Sequence, residues 1–365
     1  MLLSGIFPPI TTPFYPDGNV YFKKVEHNVE HYSRTPAVGI VVLGSTGEAV
    51  MLSDQERRDV LKSAREATAI NKVLIAGTGL ESAIETLRLT EYAAELGYDV
   101  ALVRTPHFYR PQLGPASILA FYRTVADRSP LPVLLYNVPG FTGYDIPSEL
   151  VIELADHPNI IGIKESAGDV EKVRKMAAGT RDIKRTATVT ETFEAVTPRM
   201  LAAAAPSTSG GGGELVQVGL LAGTEASQQT AYVPKPSSSA MEVVGKMKTR
   251  KKEVGFQVLV GAAHKLHASL EAGAVGGILG FACPAPTACY EIYAAWKEGD
   301  ATLAAVKQER IAKASVRIIG QLGIPAIKYG MDFNGYYGGP SRLPMLPLTG
   351  DAKREVEQLL ADIRN

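Results

Sequence analysis

Apolar, β-branched runs alternate with amphipathic stretches from the first residues of this chain onward, and that repeat constrains its fold more than any other feature. The runs cover residues 5–11, 38–43, 73–77, 100–104, 133–136, 160–164, 256–260 and 275–281. The stretches between them carry apolar residues at helical spacing and recognisable starts. Ser53 with Glu56, and Ser82 with Glu85, each fit a reciprocal capping box. Eight strand-plus-helix units predict a closed (β/α)8 TIM barrel. A doubly wound open sheet is the alternative, but no glycine-rich dinucleotide fingerprint follows the first strand, and Gly77-Thr78-Gly79 is only a strand-to-helix turn.

One interruption breaks the repeat. Residues 181–253 run through alanines, a Ser/Gly tract, a Pro/Ser tract and the basic segment 246–252. This predicts an insertion of linker-like composition between helix 6 and strand 7, with short strands at 184–189 and 215–221 and the basic segment as a solvated helix face. Barrel topology roots it at the face opposite the catalytic one. The expected organisation is therefore 1–180 for six β/α units, 181–253 for the insertion, 254–296 for the last two units, and 297–365 for a C-terminal helical extension. Helices are expected there at 301–322 and 351–363, after one at 286–296.

Composition narrows the function. Thirty-eight basic residues balance thirty-eight acidic ones, so no net field attracts nucleic acid or an anionic membrane, and neither is expected as a partner. No apolar stretch approaches the roughly 20 residues needed to span a bilayer, and the first residues lack a signal-peptide pattern. Cys283 and Cys289 form no disulfide framework, which fits a reducing compartment; the expectation is cytoplasmic. The pairs His27/His31 and His264/His267 have helical spacing but no accompanying carboxylate or cysteine ligands, so no metal or cofactor is expected.

Lys164 closes the otherwise apolar run 159–163, which reads as a strand buried on both faces. Burying an ammonium is expensive, and the neutral amine is a nucleophile toward carbonyls. A lysine with its head in water at the strand end is the plain alternative, but the neighbours weigh against it. Tyr136 ends the preceding strand and can reach the same small substrate, and its phenol can shuttle protons. Gly162, on the same face as Lys164, clears room beneath it. The turn Gly44-Ser45-Thr46-Gly47-Glu48 offers two hydroxyls and free amides as a carboxylate cradle.

These segments, with Gly5 to Phe14, Tyr136-Asn137-Val138-Pro139, Gly162-Ile163-Lys164-Glu165-Ser166, Phe256 to Gly261 and Phe333-Asn334-Gly335-Tyr336-Tyr337-Gly338-Gly339-Pro340, resemble the pyruvate-dependent class I aldolases. That family includes dihydrodipicolinate synthase, N-acetylneuraminate lyase and 4-hydroxy-2-oxoglutarate aldolase. The resemblance covers nearly everything except the insertion. It implies a Schiff base between Lys164 and a 2-oxo acid, proton transfer by Tyr136 with Ser45 as its relay, and a carboxylate held by Ser45 and Thr46. Gly261 and Ile278 match pocket-lining positions, and Ser166, Tyr109 and Phe141 complete the substrate-binding set.

Three departures bear on specificity. Dihydrodipicolinate synthases carry an arginine where this chain has Phe141, which weakens the synthase reading. Phe108 stands where the family has a relay tyrosine reaching across a dimer interface, leaving that role to Tyr109 or water. The insertion is the third. The motifs look closest to 4-hydroxy-2-oxoglutarate aldolase and relatives acting on 2-keto-3-deoxy acids. The leading expectation is an aldolase cleaving or forming a C–C bond between pyruvate and an aldehyde, in a homo-oligomer (dimer or tetramer). 4-Hydroxy-tetrahydrodipicolinate synthase is the alternative within enzymes, and a non-catalytic 2-oxo acid binding scaffold the alternative outside them.

Overall fold

The computed structural model describes residues 1–205, 241–244 and 247–363. Eight parallel strands form one sheet: β1 (Gly5–Phe7), β2 (Gly39–Val42), β3 (Val73–Gly77), β4 (Val100–Arg104), β5 (Val133–Asn137), β6 (Ile160–Glu165), β10 (Gln257–Val260) and β11 (Gly276–Ile278). Three further strands, β7 (Arg185–Thr190), β8 (Met241–Val244) and β9 (Met247–Val254), form a separate antiparallel sheet, β7-β9-β8. The large sheet runs β1-β11-β10-β6-β5-β4-β3-β2, and its ends meet through a parallel bridge between Pro9 and Val41, with the Ile10 amide donating to the Val41 carbonyl at 2.9 Å. The sheet is thus a closed (β/α)8 barrel.

Strand alternation builds two cores. Phe7, Val41, Ile75, Leu102, Leu134 and Leu259 fill the barrel interior, while Ile6, Ile40, Leu74, Val103 and Leu135 pack outward against the helices. Each such side chain, fully buried, contributes about 1.5–3 kcal/mol. The first strand is shorter than the 5–11 run because Pro8 and Pro9 have no amide to donate. The last ends at Ile278 and passes into a 3-10 turn at Gly280–Ala282. Ser53 and Glu56 form the full capping box, at 3.2 and 2.8 Å. At Ser82 only half forms: it caps the Glu85 amide, but the Glu85 carboxylate pairs with Arg88 instead.

The expected strand at 184–189 is β7, and its partner corrects the reading of the basic segment. Residues 247–252 lie in β9, not in a helix. Period-2 alternation puts Arg250 and Lys252 on one face, over the Phe193 ring at 3.5 and 4.9 Å from its centre. Thr249 is buried on the other face. The expected strand at 215–221 lies outside the described residues.

This sheet and the helix Pro198–Ala204 that follows β7 are fastened beneath the barrel, at the N-terminal ends of the strands. Arg185 donates to the carbonyls of Ala155 and His157, just before β6. Arg199 pairs with the buried Asp99, just before β4, at 3.6 Å. Burial raises the Asp99 carboxyl, opposed by the Leu74 amide and by Arg199. The C-terminal extension holds the expected helices as Ala301–Ser315 and Gly350–Leu360, and the first continues as a π-helical segment, Val316–Leu322. Helix Ile324–Phe333 is an addition to the expected set; it opens with Pro325 in its first turn. Among the described residues no helix is long and apolar enough to cross a membrane.

Candidate active site

Register brings the site together. Tyr136 of β5 pairs with Lys164 of β6, and Arg104 of β4 pairs with Tyr136, so all three stand in one row at the C-terminal ends of the strands. Lys164 and Tyr136 are 4% and 5% exposed, and the Lys164 Nζ sits 4.1 Å from the centre of the Tyr136 ring. No ion pair or hydrogen bond engages that amine among the described residues, so it is buried yet uncommitted. Gly162 below it has a tighter reason than space for the lysine: a Cβ there would lie 2.2 Å from the Gln257 carbonyl oxygen.

The loop after β2 meets this row. Ser45 Oγ lies 3.0 Å from the Tyr136 hydroxyl. The 3-10 turn Ser45–Gly47 consumes the amides of Gly47 and Glu48, leaving those of Ser45 and Thr46 without a hydrogen bond among the described residues. Thr46 is buried. Glu48, in the left-handed region at φ 54°, turns its carboxylate inward to pair with Lys328 at 2.5 Å. Lys328 also donates to the carbonyls of Thr12 and Pro340, both at 2.8 Å. Burial lowers the Lys328 pKa and Glu48 pulls it back. The loop after β2 is thereby anchored to helix Ile324–Phe333.

On the opposite side, Ser166 and Gly261 are neighbours. Ser166 Oγ is buried and has no hydrogen-bond partner among the described residues, and a Cβ on Gly261 would come within 2.2 Å of it. Ile278 is fully buried on β11. Cys283, whose thiol donates to the Pro9 carbonyl at 3.1 Å, is pushed well above the usual thiol range by burial, with Lys164 the opposing charge nearby; it stays a neutral thiol.

Not every expected site residue joins this group. Tyr109 is 66% exposed, edge-on to Phe108, and lines neither cavity near Ser45. Phe141 is 69% exposed but walls an outer cavity of about 280 Å³ with Ser45, Arg104 and His107. Sequence reasoning missed two groups. Glu165, beside the lysine, accepts from Asn137 at 2.9 and 3.0 Å and from the Ala167 amide at 2.6 Å, and pairs with Lys172 at 3.1 Å, which locks the ends of β5 and β6 together. Arg104 and Arg57 both line the inner cavity beside Tyr136. The available signal was Arg104 at two-residue spacing from the interior Leu102.

Comparison with known proteins agrees with the barrel fold. The chain is 44% identical over 178 residues to the 4-hydroxy-tetrahydrodipicolinate synthase of Xanthomonas campestris, covering 49% of this chain and 58% of that one. It is 37% identical over 183 residues to the synthase of the same name from Methanoculleus marisnigri, covering 50% and 62%. The matches thus span about three fifths of these relatives' length. Among solved structures, a Bacillus anthracis dihydrodipicolinate synthase superposes with TM-score 0.75 at 21% identity, covering 99% of each chain. A prophage protein of the dihydrodipicolinic acid synthase family from E. coli K12, solved in complex with pyruvate, gives 0.72 at 24% identity, covering 100% and 99%. The Dihydrodipicolinate synthetase family model matches residues 2–210 and 235–363, so it reaches into the 181–253 interruption from both ends and leaves only 211–234 of it unmatched, and the chain belongs to that family.

Proposed function

We propose that this chain is a Schiff-base, pyruvate-dependent carbon–carbon lyase acting on a 4-hydroxy-2-oxo acid or 2-keto-3-deoxy acid. The observation that carries this reading is the buried, uncommitted Lys164 amine 4.1 Å from the Tyr136 ring, with Ser45 3.0 Å from the Tyr136 hydroxyl. The amine adds to the C2 ketone and water leaves, giving an iminium. Tyr136 gives its phenol proton to the hydroxide that leaves as water, and the phenolate left behind takes the C4 hydroxyl proton; the C3–C4 bond breaks and its electron pair moves into the iminium as the aldehyde departs. The enamine is then protonated at C3, and hydrolysis frees pyruvate and the amine. Ser45, Thr46 and their amides hold the C1 carboxylate, Ser166 offers its buried hydroxyl, and Gly261 and Ile278 shape the wall.

4-Hydroxy-tetrahydrodipicolinate synthase is a second reading, supported by the names of the curated relatives. Phe141 disfavours it, because that loop then offers no cation to the carboxylate of aspartate semialdehyde. Parallel assays decide between them: pyruvate release from a 4-hydroxy-2-oxo acid should exceed condensation of pyruvate with aspartate semialdehyde, and Phe141→Arg should raise the latter. Efficient condensation by the unaltered protein would reverse the ranking. The exposed Phe108 and Tyr109 beside the site support a homo-oligomer.

A further inference from the structure

Arg104 stands one strand beyond Tyr136 in the row that ends at Lys164, so its backbone is about 10 Å from the lysine's, two strand spacings away. Its side chain is 15% exposed and faces both the inner cavity, with Tyr136 and Ser45, and the outer one, with Phe141. One edge of the guanidinium is occupied: Nη1 donates to Glu81 at 3.0 Å and the Thr105 carbonyl at 3.2 Å, and meets His107 Nδ1 at 2.8 Å. Nε and Nη2 have no hydrogen-bond partner among the described residues. Glu81 spreads its charge over the amides of His107 and Phe108 as well, at 2.9 and 3.0 Å, and meets His107 Nδ1 at 2.6 Å, so Arg104 is one of several groups that share it.

A second cation shares that space. Arg57, from helix Asp54–Ala67, lines the inner cavity with its Nε on the Ala49 carbonyl at 3.1 Å. Burial lowers its pKa, opposed by the carboxylates of Asp54 and Glu56, and the charge of Arg104 adds to the lowering, so the two guanidinium groups feel each other. Two half-shielded cations facing one cavity are a cost in the empty protein that an anion between them would relieve.

We propose that Arg104, backed by Arg57, receives a second carboxylate at the end of the substrate remote from the Lys164 imine. This deepens the aldolase reading and rests on it: the preferred substrate is a 4-hydroxy-2-oxo dicarboxylic acid rather than a neutral-tailed 2-keto-3-deoxy acid. Three carbon–carbon bonds separate the imine carbon of the five-carbon diacid from its distal carboxylate, and the lysine and arginine side chains extend toward each other across the rest. Aspartate semialdehyde fits less well, because the ammonium beside its carboxylate would be repelled by the arginine pair.

The test compares the unaltered protein with Arg104→Gln and Arg104→Lys. It measures borohydride trapping of pyruvate, cleavage of 4-hydroxy-2-oxoglutarate, and cleavage of 2-keto-3-deoxygluconate. Pyruvate lacks a distal anion, so trapping should persist in all three proteins and report an intact fold. In Arg104→Gln, kcat/KM for the diacid should fall about 30-fold or more, the scale of a lost charge-assisted hydrogen bond, while the neutral-tailed substrate changes less than about threefold. Arg104→Lys should recover part of the diacid activity. Equal losses on both substrates, or none on the diacid, with trapping intact would overturn the assignment and leave the aldolase reading standing. Absence of trapping in the unaltered protein would overturn that reading and this inference with it.

Discussion

At the scale of single residues, burial and register single out the side chains to which the proposed chemistry is assigned. Lys164 and Tyr136 were legible in the sequence because a lysine stands out at the end of an apolar strand, and the tyrosine closing the preceding strand marks a partner within its reach. Arg104 was not, since a charged residue at a strand end reads as solvated until the pairing with Tyr136 shows it facing inward. Removing the Tyr136 hydroxyl should slow turnover without unfolding the barrel. Tyr136→Phe is expected to lower kcat about 10²–10³-fold, read by steady-state cleavage assays, with a circular dichroism spectrum unchanged. Ser166 separates stability from function. Its buried hydroxyl has no partner among the described residues, so Ser166→Ala should leave Tm unchanged or higher. If substrate completes that hydroxyl, the same change raises KM by roughly tenfold. Gly261→Ala should do harm of a different kind: the new Cβ, 2.2 Å from Ser166 Oγ, forces local repacking worth about 1–3 kcal/mol, visible as a lowered Tm.

Among elements, the sequence marked strands better than their ends or their partners. Prolines shortened β1, and a capping box formed fully at Ser53 but only half at Ser82, where Arg88 captured the carboxylate. The basic segment became strand β9 because Ala187, Thr188 and Val189 on β7 pair with Lys252, Lys251 and Arg250 across the sheet, a non-local fact that local charge does not reveal. Another long-range contact joins the helix after β2 to the C-terminal extension. Arg342 binds Glu56 at 2.6 and 3.0 Å, and those hydrogen bonds hold the Glu56 carboxyl at about 2, against the opposing effect of burial and with help from the Ser53 amide. Its folded pKa lies below the ordinary 4.5, so the contact stabilises fully above that pH and fades as pH falls toward 2. Glu56→Gln should therefore lower Tm at pH 7, with the deficit shrinking between pH 4.5 and 2. A deficit independent of pH would mean that the carboxylate's charge is not what matters.

For the whole molecule, the barrel separates chemistry from what is fastened beneath it. Lys164 lies at the C-terminal ends of the strands, whereas the antiparallel sheet and the helix after β7 are held at the other end through Arg185 and Arg199. Replacing residues 185–252 with a short loop should leave pyruvate trapping nearly intact while lowering Tm, because Asp99 loses its buried partner and the interior residues Leu2 and Val73 lose the cover of Ala187, Val189 and Met200. Lost trapping in a deletion that stays folded would mean that the insertion reaches the site. The claim on which all else depends is covalent. Borohydride reduction with pyruvate, followed by intact mass and peptide mapping, should add one reduced pyruvyl group, at Lys164, and none in Lys164→Arg, whose guanidinium stays protonated. Labelling at a different lysine, or an unlabelled protein, would contradict the account.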